Sequence, residues 1–297
     1  MNYILENDHL KLTVSAHGAE PISVIAKSDD SECLWCGDPA VWGRHAPILF
    51  PYTGQLTDGK LIAKGKEYKG GQHGFARDME HTLVEQSAER LVFELRSDEK
   101  TREKFPYEFV LRSVFTLEGN TVHHTLEVEN PGEEILRFGI GYHPAFACPF
   151  DGEHDTEDYE FRFDREESPL AVDARPNGLL SGKCYYMGQN LKSIPLTDHI
   201  FDNDSFCMVN LKSSTLGIYE KDSSRSVVCN IEGYPYTLIW SKNTEKVKFV
   251  CIEPWHSLPG VEGGSCEWDE RAAAASLVPG EKFSTPLSMT FNRECRR

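Results

Sequence analysis

Three short stretches of this chain set an ionisable side chain beside glycine or proline and large aromatics. They read Gln72-His73-Gly74-Phe75-Ala76-Arg77-Asp78, Gly139-Ile140-Gly141-Tyr142-His143-Pro144-Ala145-Phe146 and Phe249-Val250-Cys251-Ile252-Glu253-Pro254-Trp255. Loops at strand ends are where a rigid scaffold presents its working groups. Val247, Phe249, Val250, Cys251 and Ile252 are apolar on both faces, which predicts a central, buried strand. Glu253 follows at once and Pro254 is expected to stop the strand, leaving a partly desolvated carboxylate. Desolvation raises a carboxyl pKa toward that of a base working near neutrality. The other reading is a glutamate that caps a strand and pairs with an arginine.

His73 and His143 carry the same ambiguity between a working group and a hydrogen-bonded structural residue. The chain has eleven histidines, and His9, His17, His81, His123, His124, His154, His199 and His256 lack comparable settings. His124 falls on the inward face of its strand, where a satisfied core histidine is expected. A fourth unusual run, Trp42-Gly43-Arg44-His45-Ala46-Pro47-Ile48-Leu49-Phe50-Pro51, contributes Arg44 beside His45. Arg44 and Arg77 are the cations to place near an anionic or polyhydroxylated ligand, because a guanidinium fork grips oxygens bidentately. Each could equally be half of a buried ion pair.

The elements that must hold these groups alternate with period two. In 91–96, Leu91, Phe93 and Leu95 share one face; in 107–117, Phe109, Leu111, Ser113, Phe115 and Leu117 do. In 122–129, Val122, Leu126 and Val128 point in while His123, Glu127 and Glu129 point out. Half-buried antiparallel strands read this way, with Glu118-Gly119-Asn120 as a hairpin turn. Further strands are expected near 10–16, 20–26, 226–232, 236–241, 247–252 and 283–291. The best local helix candidate, Glu267 to Leu277, is short and bounded by Gly264 and Pro279. The acidic stretch 151–168 reads as a solvated excursion at a sheet edge. Strands without helical crossovers, repeats or linkers predict one all-β domain over 1–297, a large antiparallel sandwich.

With 297 residues, the chain can bury roughly three quarters of its unfolded surface. The 31 basic and 47 acidic residues give a formal charge of -16, which repels phosphate backbones and anionic lipid. Nucleic acid and membrane are therefore not the expected partners. No apolar run reaches the ~18 residues that span a bilayer, and Met1-Asn2-Tyr3-Ile4-Leu5-Glu6 lacks the basic start of a signal peptide. Nine scattered cysteines include one C-x-x-C, Cys33 and Cys36, with no second pair at zinc spacing. Cys207, Cys229 and Cys251 sit in apolar runs, as small core residues do. Together these features predict a reduced, cytoplasmic protein.

Taken together, the W-G-R-H-A-P-I-L-F-P-Y-T-G run, the H-G-F-A-R-D loop, the G-Y-H-P-A-F segment and the C-I-E-P-W strand end resemble the aldose 1-epimerase, or galactose mutarotase-like, family. They are most similar to its LacX-like branch and cover nearly the whole chain in family order. The resemblance implies a large β-sandwich with a sugar cleft, and a cofactor-free, metal-free isomerase acting on a small sugar or sugar phosphate. By it, Glu253 takes the proton of the anomeric hydroxyl, His143 gives one to the ring oxygen, and His73 helps orient the sugar. Arg44 and Arg77 fall at sugar- or phosphate-binding positions, and Asp204 is the expected sugar-binding aspartate, with Asp202 close enough to compete. Phe75, Tyr142 and Trp255 would form an apolar floor, or lie in the core.

After Glu253 the chain departs from many relatives, reading His256-Ser257-Leu258-Pro259-Gly260 and later Glu270-Arg271, which bears on substrate preference. Three rivals follow: a hexose-6-phosphate mutarotase, a non-catalytic carbohydrate binder or sensor, and a metal site built on the two histidines and the carboxylate. A monomer and a homodimer are both compatible with the sequence.

Overall fold

The computed structural model describes residues 1–271 and 274–293. Alternation becomes strand in each expected region, although that of 107–117 begins only at Val110, and the register shows why. Val110–Glu118 and Thr121–Glu129 pair antiparallel across Gly119-Asn120, stacking Leu111 on Val128 and Phe115 on His124. Every second residue of Thr121–Glu129 is buried, beginning with Val122. His124 is a core residue whose Nε2 lies 3.1 Å from Ser113 Oγ, and burial depresses its pKa to about 3.

Two large antiparallel sheets face each other. The nine-stranded one runs in the order Leu191–Pro195, Tyr159–Glu167, Thr215–Glu220, Ser226–Asn230, Lys282–Asn292, Thr121–Glu129, Val110–Glu118, Arg90–Arg96, Thr82–Gln86. The other runs Leu180–Tyr186, Leu170–Ala174, Phe206–Val209, Tyr236–Trp240, Phe249–Trp255, Gly141–Tyr142, Ile48–Leu49, with Ala145–Ala147 also pairing to Phe249–Trp255. One continuous apolar core fills the space between them. Tyr142 spans it: its hydroxyl donates toward the carbonyls of His124 and Thr285 and accepts from the Leu126 amide at 3.0 Å. A four-stranded sheet of the first 32 residues packs alongside. No helix among the described residues is long and apolar enough to cross a membrane.

Three expectations need correction. The strand does not stop before Glu253; it runs Phe249–Trp255, with Glu253 and Pro254 still paired to Leu238 and Thr237. Pro254 is tolerated because its missing N–H faces a gap. The His256 amide donates toward Ile140, and donors two residues apart point the same way, so the Pro254 nitrogen faces the break between the Gly141–Trp255 and Ala145–Cys251 pairs. The acidic stretch is a turn-rich, largely exposed segment only over 151–158; the rest is not an excursion. Tyr159, Phe161 and Phe163 alternate with Glu160, Arg162 and Asp164 in a strand inside the larger sheet, and buried Glu167 accepts the amides of Lys212 and Ser213 at 2.7 and 2.6 Å. The helix candidate resolves into a 3-10 turn at Trp268–Glu270 and a strand at Ala275–Leu277. Its Ala272 and Ala273 lie outside the described residues. The eight described cysteines are free thiols, with Cys33 buried and Cys36 exposed.

Candidate active site

His73, His143 and Glu253 come from three distant stretches and line one cavity of about 560 Å³. Strand register accounts for the central pair. Gly141 pairs with Trp255 and Ala145 with Cys251, so the count between them sets His143 opposite Glu253. The side chains meet: His143 Nε2 lies 3.3 Å from Glu253 Oε2, although Oε2 makes no aligned hydrogen bond. A Cβ on Gly141 would stand 2.5 Å from the Trp255 indole, so glycine is what lets that ring pack flat and donate Nε1–H to the Tyr142 carbonyl at 3.1 Å.

His73 arrives on a tight loop. It sits at φ 67° and Gly74 at φ 72°. A Cβ on Gly74 would be 2.1 Å from the Phe50 carbonyl oxygen, which accepts the amides of Phe75 and Ala76. The Gly54 amide donates to His73 Nδ1 at 3.0 Å.

Burial governs the electrostatics. It pushes the Glu253 carboxyl well above its usual range, helped by nearby Asp204 and opposed by Arg77. It holds the His143 imidazole down at about 3, with Arg77 and Arg44 acting the same way. Burial, then His143, Arg77 and Arg44, holds His73 well below its ordinary value. Burial thus favours the uncharged forms of both Glu253 and His143.

Around this trio, Arg44, Arg77, Asp204, Asp202 and Trp255 all line the cavity. Arg44 is tied to Asp78 at 2.6 Å, and Arg77 donates to the Gln72 carbonyl at 2.7 Å while its buried Nε stands 4.0 Å from the same Asp78, without a hydrogen-bond partner among the described residues. Asp204 is half-buried and its carboxyl is raised by burial; Asp202 turns to His199 at 3.3 Å on the surface. Two expected floor residues lie elsewhere. Tyr142 points into the intersheet core through the hydrogen bonds above, and Phe75 packs on Phe109 in the same core. Trp255 does line the cavity, as do two further indoles, Trp42 and Trp240. Trp42 lies two residues before Arg44 in the Trp42–Pro51 run; Trp240 carried no signal beyond strand alternation. The rim comes from loops around 174–178, 201–205 and 241–243.

His143, Cys251 and Glu253 bring one donor atom each within 4.8 Å of one another. Burial holds the Cys251 thiol well above its ordinary range, which works against the thiolate that a metal requires.

With the geometry in place, the chain can be set beside known proteins. A family profile described as aldose 1-epimerase matches residues 1–282. The plasmid-encoded protein LacX of Lactococcus lactis is 31% identical over 267 residues, covering 87% of this chain and 88% of that protein. A galactose mutarotase related enzyme from Lactobacillus acidophilus superposes with a TM-score of 0.94 at 30% identity, over 99% of this chain and 98% of that one. A galactose mutarotase-like protein from Lactobacillus casei does so with a TM-score of 0.91 at 27% identity, over 98% and 100%.

Proposed function

The chain belongs to the aldose 1-epimerase family, and from that premise we propose that it interconverts the α and β anomers of a hexose by opening and reclosing the sugar ring. The observation that carries this reading is the 3.3 Å approach of His143 Nε2 to Glu253 Oε2 inside a cavity of sugar size.

Ring opening needs a proton taken from the anomeric hydroxyl and a proton given to the ring oxygen. Glu253 and His143 hold one proton between them, so in the ion-pair form the carboxylate accepts and the imidazolium donates. Hydroxyls of the bound sugar and the Arg77 charge favour the ionised carboxylate that burial alone disfavours. As Glu253 takes the O1 proton, the O1 electrons form the C1 carbonyl, the C1–O5 bond breaks, and O5 receives the His143 proton. Rotation about C1–C2 presents the other carbonyl face, and the two groups exchange roles on closure. Each transfer is worth roughly 10²–10⁴-fold, which suits a reaction that already proceeds in water. His73 and Asp204 hold sugar hydroxyls, and Trp255 packs under the ring. The cytoplasm and a free-sugar substrate belong to the same proposal.

A hexose-6-phosphate is the second reading, favoured by Arg44 and Arg77 lining one cavity. Anomer exchange of glucose, galactose and their 6-phosphates, followed by polarimetry or exchange NMR, separates the two. A strong preference for the phosphates removes the free-sugar reading. Exchange no faster than in water, in the wild type as in Glu253→Gln and His143→Asn, would leave only a binding protein.

A further inference from the structure

We infer that Trp42 is a positioning residue for His143, its indole face holding the imidazole where a hydrogen-bond partner on Nδ1 would ordinarily do so. The inference rests on the mutarotase reading of the His143–Glu253 pair. A working histidine usually has its second nitrogen bonded to a carbonyl or carboxylate, which fixes both tautomer and ring plane. Among the described residues no other residue offers the buried His143 Nδ1 an aligned partner; what is left to the ring is a contact with its own backbone, which cannot fix the ring against the rest of the site. The ring instead meets Trp42, stacked at 4.9 Å and 24°, with Trp240 edge-on at 5.5 Å and His73 edge-on at 5.4 Å.

Trp42 is itself tethered. Its amide donates to the Asp38 carbonyl at 2.8 Å, and its own carbonyl accepts Trp35 Nε1–H at 2.7 Å. Its ring lies parallel to Phe249 at 5.4 Å and 19°. Phe249 opens the strand that carries Glu253, so one strand supports the base directly and the acid through the stack.

The stack has an electrical consequence. An aromatic face attracts a cation within about 6 Å, so the indole favours the imidazolium, the form that hands on a proton. It works against burial, Arg77 and Arg44, which favour the neutral ring. The other titratable groups facing His143 are Glu253, His73 and Cys251. All five remain when only Trp42 is changed.

The test pairs steady-state anomerase kinetics with NMR titration of isotope-labelled histidine in wild type, Trp42→Phe and Trp42→Leu. The leucine variant should lose roughly 10- to 100-fold in kcat with KM little changed. The basic limb of its kcat profile should move down by about one pH unit, and the His143 resonances should lose their ring-current shift. Phenylalanine should restore part of each effect. A wild-type titration of His143 in Trp42→Leu, a rise in KM with kcat intact, or phenylalanine as damaging as leucine overturns the inference. Should Trp42→Leu fail to fold, Trp42→Phe decides: a lowered His143 titration supports the role and an unchanged one sinks it. If the wild type anomerises no sugar, the mutarotase reading falls, while the titration still decides what Trp42 does.

Discussion

The amide of Gly54 donates to Nδ1 of His73 at 3.0 Å, and the amide of His73 donates back to the Gly54 carbonyl at 2.8 Å. An amide can only donate, so Nδ1 presents its lone pair and the proton of the neutral ring resides on Nε2. Burial and the neighbouring His143, Arg77 and Arg44 keep the ring neutral. His73 is thus a fixed hydrogen-bond donor, and a different kind of group from His143 although both are buried histidines.

Replacing His73 with asparagine should leave the loop standing, because asparagine accepts the left-handed backbone at φ 67°. The loss of one donor to a sugar oxygen should lower kcat/KM by about tenfold. The shape of the kcat–pH profile should not change. A displaced limb in that profile would mean His73 carries a proton and is not merely a donor.

Glu253→Gln should lower kcat roughly 10²–10⁴-fold and at the same time raise stability. The Glu253 pKa is raised in the folded chain above its ordinary 4.5, so the favourable term is complete below that value and fades as pH rises. The unfolded chain then releases a proton that the folded one retains. The amide removes this handicap, so the variant should gain on the order of 1–2 kcal/mol at pH 8, with the gain vanishing near pH 4. Melting curves across that range give the answer, and an amide variant that melts lower at pH 8 contradicts it.

Acid should weaken the fold through its buried histidines. His124 titrates at about 3 in the folded chain against 6.5 when free, so its stability term is whole above 6.5 and is lost as pH falls toward 3. Over that window the unfolded state binds a proton that the folded one refuses, a slope of up to ~1.4 kcal/mol per pH unit. His124→Gln can still meet Ser113 and should flatten the dependence of urea midpoint on pH between 6.5 and 4. An unaltered slope would assign the acid sensitivity to other groups.

Activity should survive exhaustive chelation. His143, Cys251 and Glu253 lie close enough to share an ion, but the proposed ring opening calls only on proton transfers between side chains and sugar. Loss of turnover with EDTA, restored by one added metal and matched by elemental analysis, would reverse this.

The sheets were readable because Leu91, Phe93, Leu95 and their counterparts repeat with period two, and that period outlasts ignorance of which strand pairs with which. The pairing of His143 with Glu253 was not readable, since it depends on a register between segments far apart in the chain. The inward turn of Tyr142 was legible as well. Neighbours in a strand face opposite sides, so Tyr142 and His143 could not both look into the cleft. Phe75 had no such rule, because consecutive positive φ angles at His73 and Gly74 redirect the chain. Asp204 likewise lies at φ 77°, where alternation says nothing about which of two nearby aspartates turns inward.

The proposed proton-transfer pair sits over a central strand, while the loops at 174–178, 201–205 and 241–243 supply the rim. The two parts answer to different pressures. Alterations at exposed rim positions such as Asn177, Asn203 and Asn243 can change which guest is admitted without touching the pair beneath, so descendants of this chain could drift toward new sugars at small risk. The same division marks out a directed-evolution library: randomise the exposed rim positions and leave Asp204 and the indoles alone.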